Sequence, residues 1–132
     1  MTFKKNFNIA DVRVQHVDIA LADLVSGTPL SAISLPADSV VLGGSLTTLE
    51  AWNSTDSDVM SVGADGTGNR YLNNGNIRAA NAHVPLVPTG YAHATGGPVT
   101  VTWTSGGGTP TTGKVRLIVQ YVALGSSTGT HG

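Results

Sequence analysis

The sequence predicts a small all-β protein, a single-domain antiparallel β-sandwich, and three features of its composition indicate this class. Glycine accounts for 17 of the 132 residues, 11% of the residues are charged and 40% are apolar. An average soluble domain has about 25% charged residues and about 7% glycine. A helical bundle would need many more Glu, Lys, Ala and Leu residues, and a disordered chain would have fewer apolar residues. One core made of short strands and tight turns is therefore expected.

Size, charge and cysteine content limit the functions open to the chain. A chain of 13.4 kDa folds to roughly 6,500 Å² of accessible surface, enough for one core. The net charge of −1 provides no basic field for nucleic acid, and no apolar run predicts a membrane span. Because cysteine is absent, disulfides, thiolate nucleophiles and zinc–thiolate sites are excluded. The first residues lack the apolar region of a signal peptide, so assembly in the cytoplasm is expected.

The first part of the chain is expected to contain an arm and two strands. Residues 1–11 show no clean periodicity and are interpreted as an extended N-terminal arm. Aliphatic residues alternate over 12–21, which predicts a strand, but the alternation slips by one residue near Gln15 and His16. Such a slip indicates a β-bulge. A second, short strand is predicted at 30–35.

The middle of the chain begins with the longest apolar run, at 39–52, which predicts a long strand. Gly43 and Gly44 in its centre indicate a bend or the close approach of another backbone. Residues 58–62 predict a further strand, and the glycine-rich segment 63–68 predicts a loop.

The remaining strands are predicted from alternation between Gly, Pro and Asn turns, at 69–72, 84–88, 99–104 and 114–124. The two prolines in 84–88 confine that segment to a sheet edge. Residues 12–124 thus form the sandwich domain, and the small polar residues 125–132 predict a flexible C-terminal tail. Seven or eight short strands of this kind favour two packed sheets of the jelly-roll type.

The segment 108–114, with the sequence GTPTTGK, has the spacing of a phosphate-binding P-loop up to its lysine. That motif needs Ser or Thr next and a helix whose N-terminus holds the phosphate. Here Val115 follows and opens a predicted strand, and Pro110 removes a backbone N–H. The segment is therefore interpreted as a turn and not as a nucleotide site.

Three carboxylates, Asp56, Asp58 and Asp65, surround a glycine-rich turn and are the candidate metal ligands of this sequence. Calcium takes six to eight oxygen ligands of this hard type. The spacing matches no EF-hand loop, and Asp-Gly turns form without a metal. The turn interpretation is preferred, so no metal and no other cofactor is predicted.

No arrangement of residues predicts an enzyme. His16 and Asp18 share a strand face, and His83 and His93 flank the proline-rich segment, but no G-x-S-x-G turn is present. The aromatic residues Trp52, Tyr71, Tyr91, Trp103 and Tyr121 are interpreted as core residues with a hydrogen-bonded polar end. A carbohydrate-binding face made of the same aromatics is the alternative.

Five segments together resemble small virion proteins of tailed bacteriophages, of the head decoration or cement family. The resemblance spans about residues 15–123, most of the chain, and the segments that carry it are VDIALADL at 17–24, SVGADGTGNRYL at 61–72, LVPTGY at 86–91, VTVTWT at 99–104 and RLIVQYV at 116–122. The order of N-R-Y-L and L-V-P-T-G-Y is the most specific part of the resemblance.

The resemblance implies a structural protein on the outer surface of the capsid, which binds the major capsid protein and stabilises the shell. Self-association as a homotrimer or a homodimer is expected, with neither nucleic acid nor membrane as a partner. Phe3, Lys4, Lys5 and Phe7 in the arm are the candidate capsid-binding residues, two apolar anchors and two cations. The alternatives are a carbohydrate-binding sandwich on the virion surface and a tail or connector protein.

Overall fold

The chain folds into two antiparallel sheets packed face to face, as the sequence predicts. The structure is a computed structural model and describes residues 11–124. Within that range it has one short 3-10 helix, Leu21–Asp23, and nine strands: β1 Val12–Ala20, β2 Leu30–Leu35, β3 Ser39–Glu50, β4 Asp58–Ala64, β5 Thr67–Asn76, β6 His83–Pro85, β7 Ala92–His93, β8 Gly97–Ser105 and β9 Lys114–Ala123. None of the helical structure between residues 11 and 124 is long and apolar enough to cross a membrane.

Sheet A has the strand order β1-β9-β3-β6, with β7 also paired to β3, and sheet B has the order β2-β8-β4-β5. The pairs are nested: β1 pairs with β9, β2 with β8, β3 with β6 and β4 with β5. Nested antiparallel pairs are the arrangement produced when one long hairpin rolls up into two sheets. This pairing supports the jelly-roll assignment, which stays a prediction.

The core lies between the two sheets and is filled from alternate positions of the strands. β9 contributes Val115, Leu117, Val119 and Tyr121, as its alternation predicts. From sheet B, β8 contributes Val99, Val101 and Trp103, all at most 4% exposed. Because the side chains of a strand alternate between its two faces, the residues between these positions form the outer faces of the sheets.

The predicted bulge in the first strand is absent. β1 pairs with β9 in an unbroken register from Val12 opposite Val122 to Ala20 opposite Lys114. The aliphatic residues lie on different faces in the two halves of the strand. Val17 and Ile19 point into the core, whereas Val12 and Val14 are exposed on the outer face. The slip in the pattern therefore marks the point where the aliphatic residues move from the outer to the inner face of β1, and the backbone pairing stays regular there.

The hairpin of β4 and β5 in sheet B also corrects the predictions of a loop at 63–68 and a strand at 69–72. The predicted glycine-rich loop is a two-residue turn, with Asp65 at φ 50° and Gly66 at φ 78°. Two residues with positive φ match the twist of the flanking strands, as in a type I′ hairpin. β5 then runs to Asn76, well past the predicted end at Leu72, and its register with β4 shifts twice. The second half of β5 was not predicted because its asparagine-rich sequence shows no alternation of apolar and polar residues, and its pairing with β4 is irregular.

Candidate functional site

A buried carboxylate at the start of β4 organises one end of the sandwich. The Asp58 side chain is fully buried and accepts hydrogen bonds from the Trp103 indole N–H at 3.0 Å and from the Ser54 hydroxyl at 2.5 Å. The Arg78 guanidinium lies 3.6 Å from its second oxygen and donates to the Ser54 carbonyl. A buried carboxylate costs much free energy unless it is paired and hydrogen-bonded. Asp58 meets both conditions, which makes it a structural group.

The two tryptophans pack beside this carboxylate, with ring centroids 5.2 Å apart. Trp52 is 2% exposed and Trp103 is 4% exposed. A carbohydrate platform needs exposed rings, so neither tryptophan is available for one. The turn before β9 ends in glycine, at Gly113, because a Cβ there would lie 2.3 Å from the Trp52 indole. The P-loop-like segment thus closes over a core tryptophan.

The second buried polar cluster centres on His93, a fully buried residue of β7. Its Nε2 shares a hydrogen bond of 2.5 Å with the Tyr71 hydroxyl, and its Nδ1 lies 3.4 Å from an Asp65 carboxylate oxygen without forming a hydrogen bond. The Tyr91 ring meets the imidazole edge-on, and the Arg70 guanidinium stacks on Tyr91 at 3.6 Å. The cluster joins β7 of sheet A to β5 of sheet B and to the turn at Asp65.

The order Asp65, His93, Tyr71 resembles a catalytic relay, but its electrostatics are those of a structural contact. Burial raises the pKa of Tyr71 to about 12, so its hydroxyl remains protonated and is a poor nucleophile. Burial also lowers the pKa of His93, against the opposing effect of the Asp65 carboxylate. Tyr71 is 2% exposed, so a substrate has no access to the hydroxyl. The arrangement connects the sheets, and its imidazole and phenol groups are buried.

The structure does not bring the three candidate metal ligands together. Asp58 begins β4 and Asp65 follows its last residue, so they lie roughly 20 Å apart along the strand. Asp56 is exposed in the loop before β4. Between residues 11 and 124, no group of three His, Asp or Glu side chains is placed to hold a metal ion.

The candidate capsid-binding residues Phe3, Lys4, Lys5 and Phe7 lie outside the described residues and stay a prediction.

The outer face of sheet A carries exposed aliphatic side chains for which the alternation pattern predicts no surface. We call them the aliphatic patch: Val12, Val14, Leu42, Val40, Ile118, Val122 and Leu124. Val12, Val122 and Val40 form one row across three strands. Ile118 lies opposite His16 and Ser45 on the same face. The slip in alternation within β1 was the available signal, because it placed two valines on the outer face.

The far end of the same face is polar. Arg116 donates two hydrogen bonds to Asp18, at 2.8 and 3.2 Å, and this pairing lowers the pKa of Asp18 and raises that of Arg116. Beside them the Thr47 hydroxyl lies 3.0 Å from His83 Nδ1. The outer face of sheet A therefore changes from aliphatic to charged along the strands.

The outer face of sheet B has a different character. Its centre presents the hydroxyl and amide groups of Ser61, Asn74, Thr100, Thr102 and Thr104. Part of this surface forms a shallow hollow of about 270 Å³ on β4, β5 and β8. A second hollow, of about 500 Å³, lies between the 3-10 helix and the turn before β9. Its carboxylate, Glu50, accepts a hydrogen bond from the Gly113 N–H, so that group is engaged in holding the turn.

Comparison with solved structures finds the same fold in chains from three phage capsids. A chain in the capsid asymmetric unit of cyanophage Pam1 superposes with a TM-score of 0.63 at 22% identity, covering 92% of this chain and 91% of that chain. The capsid of Ralstonia phage GP4 contains a chain with a TM-score of 0.67 at 18% identity, covering 96% of this chain and 92% of that one. A chain in the acidic stable capsid structure of Helicobacter pylori bacteriophage KHP30 has a TM-score of 0.67 at 16% identity, with coverage of 88% and 91%.

Because coverage is nearly complete in both directions, each of these chains is about as long as this one. At such low identity the likeness is one of fold. The sequence matches no protein-family model and no curated protein sequence.

Proposed function

We propose that this protein is a structural component of a tailed-bacteriophage virion, a decoration or cement protein that binds the major capsid protein on the outer surface of the head. The observation that carries the proposal is the fold, which recurs over nearly the full length of similarly sized chains in three phage capsid structures. The sequence segments that resemble decoration proteins point in the same direction. The proposal assigns the protein no catalytic activity.

The packing of the domain suits a protein that binds a shell through repeated contacts. Both polar clusters join elements of the sandwich, and their central groups, Asp58 and His93, are fully buried. A rigid sandwich holds its surface groups in fixed positions, so little conformational entropy is lost when it docks. A shell offers the same contact many times, and an oligomer with several contacts gains avidity from weak individual ones. We therefore propose that the protein self-associates, as a homotrimer or a homodimer, around a symmetry axis of the shell.

The experiment mixes the purified protein with capsids that lack it, before and after expansion of the shell, and counts the bound copies. Saturable binding to the expanded shell at hundreds of copies is the expected result. Six or twelve copies at one vertex would indicate the alternative tail or connector role. Absence of binding to both shells would refute the capsid proposal, and a glycan array would then test the carbohydrate alternative.

A further inference from the structure

Residues 87–96, which we call the β7 segment, link β6 to β8 and are held to the sandwich by few contacts. Their one strand, β7, forms two residue pairs with the start of β3. Glycines with positive φ lie on both sides of this strand, Gly90 at 75° and Gly96 at 72°. Pairing this short opens at a lower free energy than the long strands of a core. The β7 segment is therefore the kind of element that can detach while the sheets remain folded.

His93 is the buried anchor of the β7 segment. Within residues 87–96 it is the only side chain that is fully buried, whereas most of its neighbours are exposed and Val87 is 63% exposed. Fully buried positions are usually occupied by apolar residues. Here the anchor is the residue type whose charge changes between pH 5 and 8. The attachment of the segment therefore depends on a group that can gain a proton.

The hydrogen bond between His93 and Tyr71 has a defined direction while the imidazole is neutral. Nδ1 of His93 lies 3.4 Å from an Asp65 carboxylate oxygen. The ring proton is on Nδ1, because a lone pair there would face the negative charge. Nε2 is then the acceptor, and the Tyr71 hydroxyl, whose pKa burial raises to about 12, donates to it over 2.5 Å. The neutral ring therefore fits this site.

A proton on His93 reverses this hydrogen bond. Both ring nitrogens of a charged imidazole are donors, so the Tyr71 oxygen would have to accept from Nε2, and its own O–H would lose its acceptor. Tyr71 is 2% exposed, and in the described part of the chain its hydroxyl bonds to His93 alone. A buried hydroxyl without a partner is destabilising. The charged ring therefore does not fit the closed arrangement.

The charged groups around His93 do not compensate for its burial. The turn between β4 and β5 supplies Asp65, which favours a charged ring, and β5 supplies Arg70, which opposes it. Tyr91, in the segment itself, meets the imidazole edge-on and stacks on Arg70. The turn before β3 supplies the exposed Asp38, which contacts His93 through its backbone N–H. Burial is the largest effect and holds the pKa of His93 below its ordinary value.

We propose that the β7 segment is an acid-released flap, in which protonation of His93 detaches residues 87–96 from Tyr71 and from the start of β3 while the two sheets stay packed. Release leaves the backbone of Ser39 and Val40 without its partner strand on that side of β3. The domain thereby gains an open strand edge in acid that it lacks at neutral pH. This inference goes beyond the proposed function and does not depend on it.

The test measures amide hydrogen exchange by NMR in the unmodified protein at pH 7.5 and 5.5. Each rate is divided by the rate of an unstructured chain at the same pH, which gives the fraction of time that the amide is open. Three reporter amides are held by the segment: Asp38 and Gly96 donate to the His93 carbonyl oxygen, and Val87 donates to that of Tyr71. The amides of β8 and β9 are the references for opening of the whole domain.

We expect the open fraction of the reporters to rise severalfold at pH 5.5, by at most about tenfold, because an exposed imidazole with a pKa of about 6.5 is about 90% protonated there. At pH 5.5 it should also exceed that of the references at least tenfold and change little in dilute urea, since local opening exposes little surface. No rise at pH 5.5 overturns the inference. Reporters that open no more often than the references also overturn it, because the whole domain then opens.

His93→Gln removes the proton-binding group and keeps a side chain that can hydrogen-bond, so its reporters should open equally at the two pH values. His16→Gln, at an exposed position of β1, is the control for loss of a histidine outside the β7 segment. A rise in His93→Gln as large as in the unmodified protein overturns the inference. Where His93→Gln does not fold, the ring protons of His93 are followed in the unmodified protein over the same pH range. Reporter opening that does not track their titration then has the same consequence.

Discussion

At the scale of single residues, the two buried polar groups differ in how well their surroundings satisfy them. Asp58 receives hydrogen bonds from Ser54 and Trp103 and has Arg78 nearby. His93 has a good hydrogen bond at Nε2, whereas its Nδ1 has no hydrogen-bond partner. The imidazole is therefore a buried group with one ring nitrogen left without a hydrogen-bond partner.

Acidification is expected to destabilise the fold through His93. Burial holds the pKa of His93 below its ordinary value of 6.5, with Asp65 opposing and Arg70 reinforcing this shift. As the pH falls below 6.5, the unfolded chain binds a proton that the folded chain does not, so the free energy of unfolding decreases until the pH passes the lower folded pKa. Urea denaturation at pH 7.5, 6.5 and 5.5 measures this decrease.

The variant His93→Gln isolates the contribution of this residue. It removes the titrating group, so its free energy of unfolding should change less between pH 7.5 and 5.5 than that of the unmodified protein. His16→Gln, at an exposed position of β1, is the matched control for the loss of one histidine outside the buried cluster. Equal slopes in the unmodified protein and in His93→Gln would contradict this assignment.

At the scale of elements, β3 shows how a strand accommodates a close neighbour. Its register with β9 shifts between Val41 and Gly43, and Gly44 follows with φ 146°. A Cβ on Gly44 would lie 2.1 Å from the Ile118 carbonyl oxygen and 3.0 Å from Leu86. The prediction that paired glycines in 39–52 mark a bend or a close approach is confirmed at this position.

Gly44→Ala is expected to lower the free energy of unfolding by about 2–4 kcal/mol, since backbone strain and overpacking each cost about 1–3 kcal/mol. Gly68→Ala is the matched control within a strand. It has an ordinary φ and nothing within 4 Å of the added Cβ, so its effect should stay within about 0.5 kcal/mol. Chemical denaturation of both variants checks the difference, and similar values for the two would show that the contact at Gly44 relaxes easily.

Strands were predictable from sequence where burial alternates, and less so elsewhere. β8 and β9 bury every second residue, so the pattern shows both their positions and their inward faces. β7 has only two residues, too few for any periodicity to show. β1 was located correctly, but periodicity alone cannot distinguish a bulge from an outer face that is apolar. That ambiguity conceals the aliphatic patch.

At the scale of the whole molecule, the sandwich follows from composition, whereas its polar clusters require three-dimensional information. The two tyrosines around His93 come from β5 and from the segment before β7. Nothing in the sequence indicates that positions 65, 71 and 93 meet, because they meet through the packing of sheet A on sheet B. Asp58 was a candidate metal ligand for the same reason, since its contacts with Trp103 and Arg78 are long-range.

The nested pairing of strands has a consequence for the order in which the protein folds. The hairpin of β4 and β5 closes a two-residue turn, whereas pairing Val12 with Val122 must close a loop of more than a hundred residues. Loop-closure entropy grows with loop length, and long-range pairing of this kind makes folding slow. We therefore expect folding to begin at the Asp65-Gly66 turn and to spread outward through the nested pairs, with β1 joining last.

A pair of valine-to-alanine substitutions tests this order through their effects on rates. Val62→Ala, in β4, should mainly slow folding, and Val17→Ala, in β1, should mainly accelerate unfolding. Stopped-flow measurements over a range of urea concentrations separate the two effects, and the reverse result would place β1 in the folding nucleus. On this order the strand that carries Val12 and Val14 is the last to be added, so the aliphatic patch is completed only when the rest of the domain is already folded.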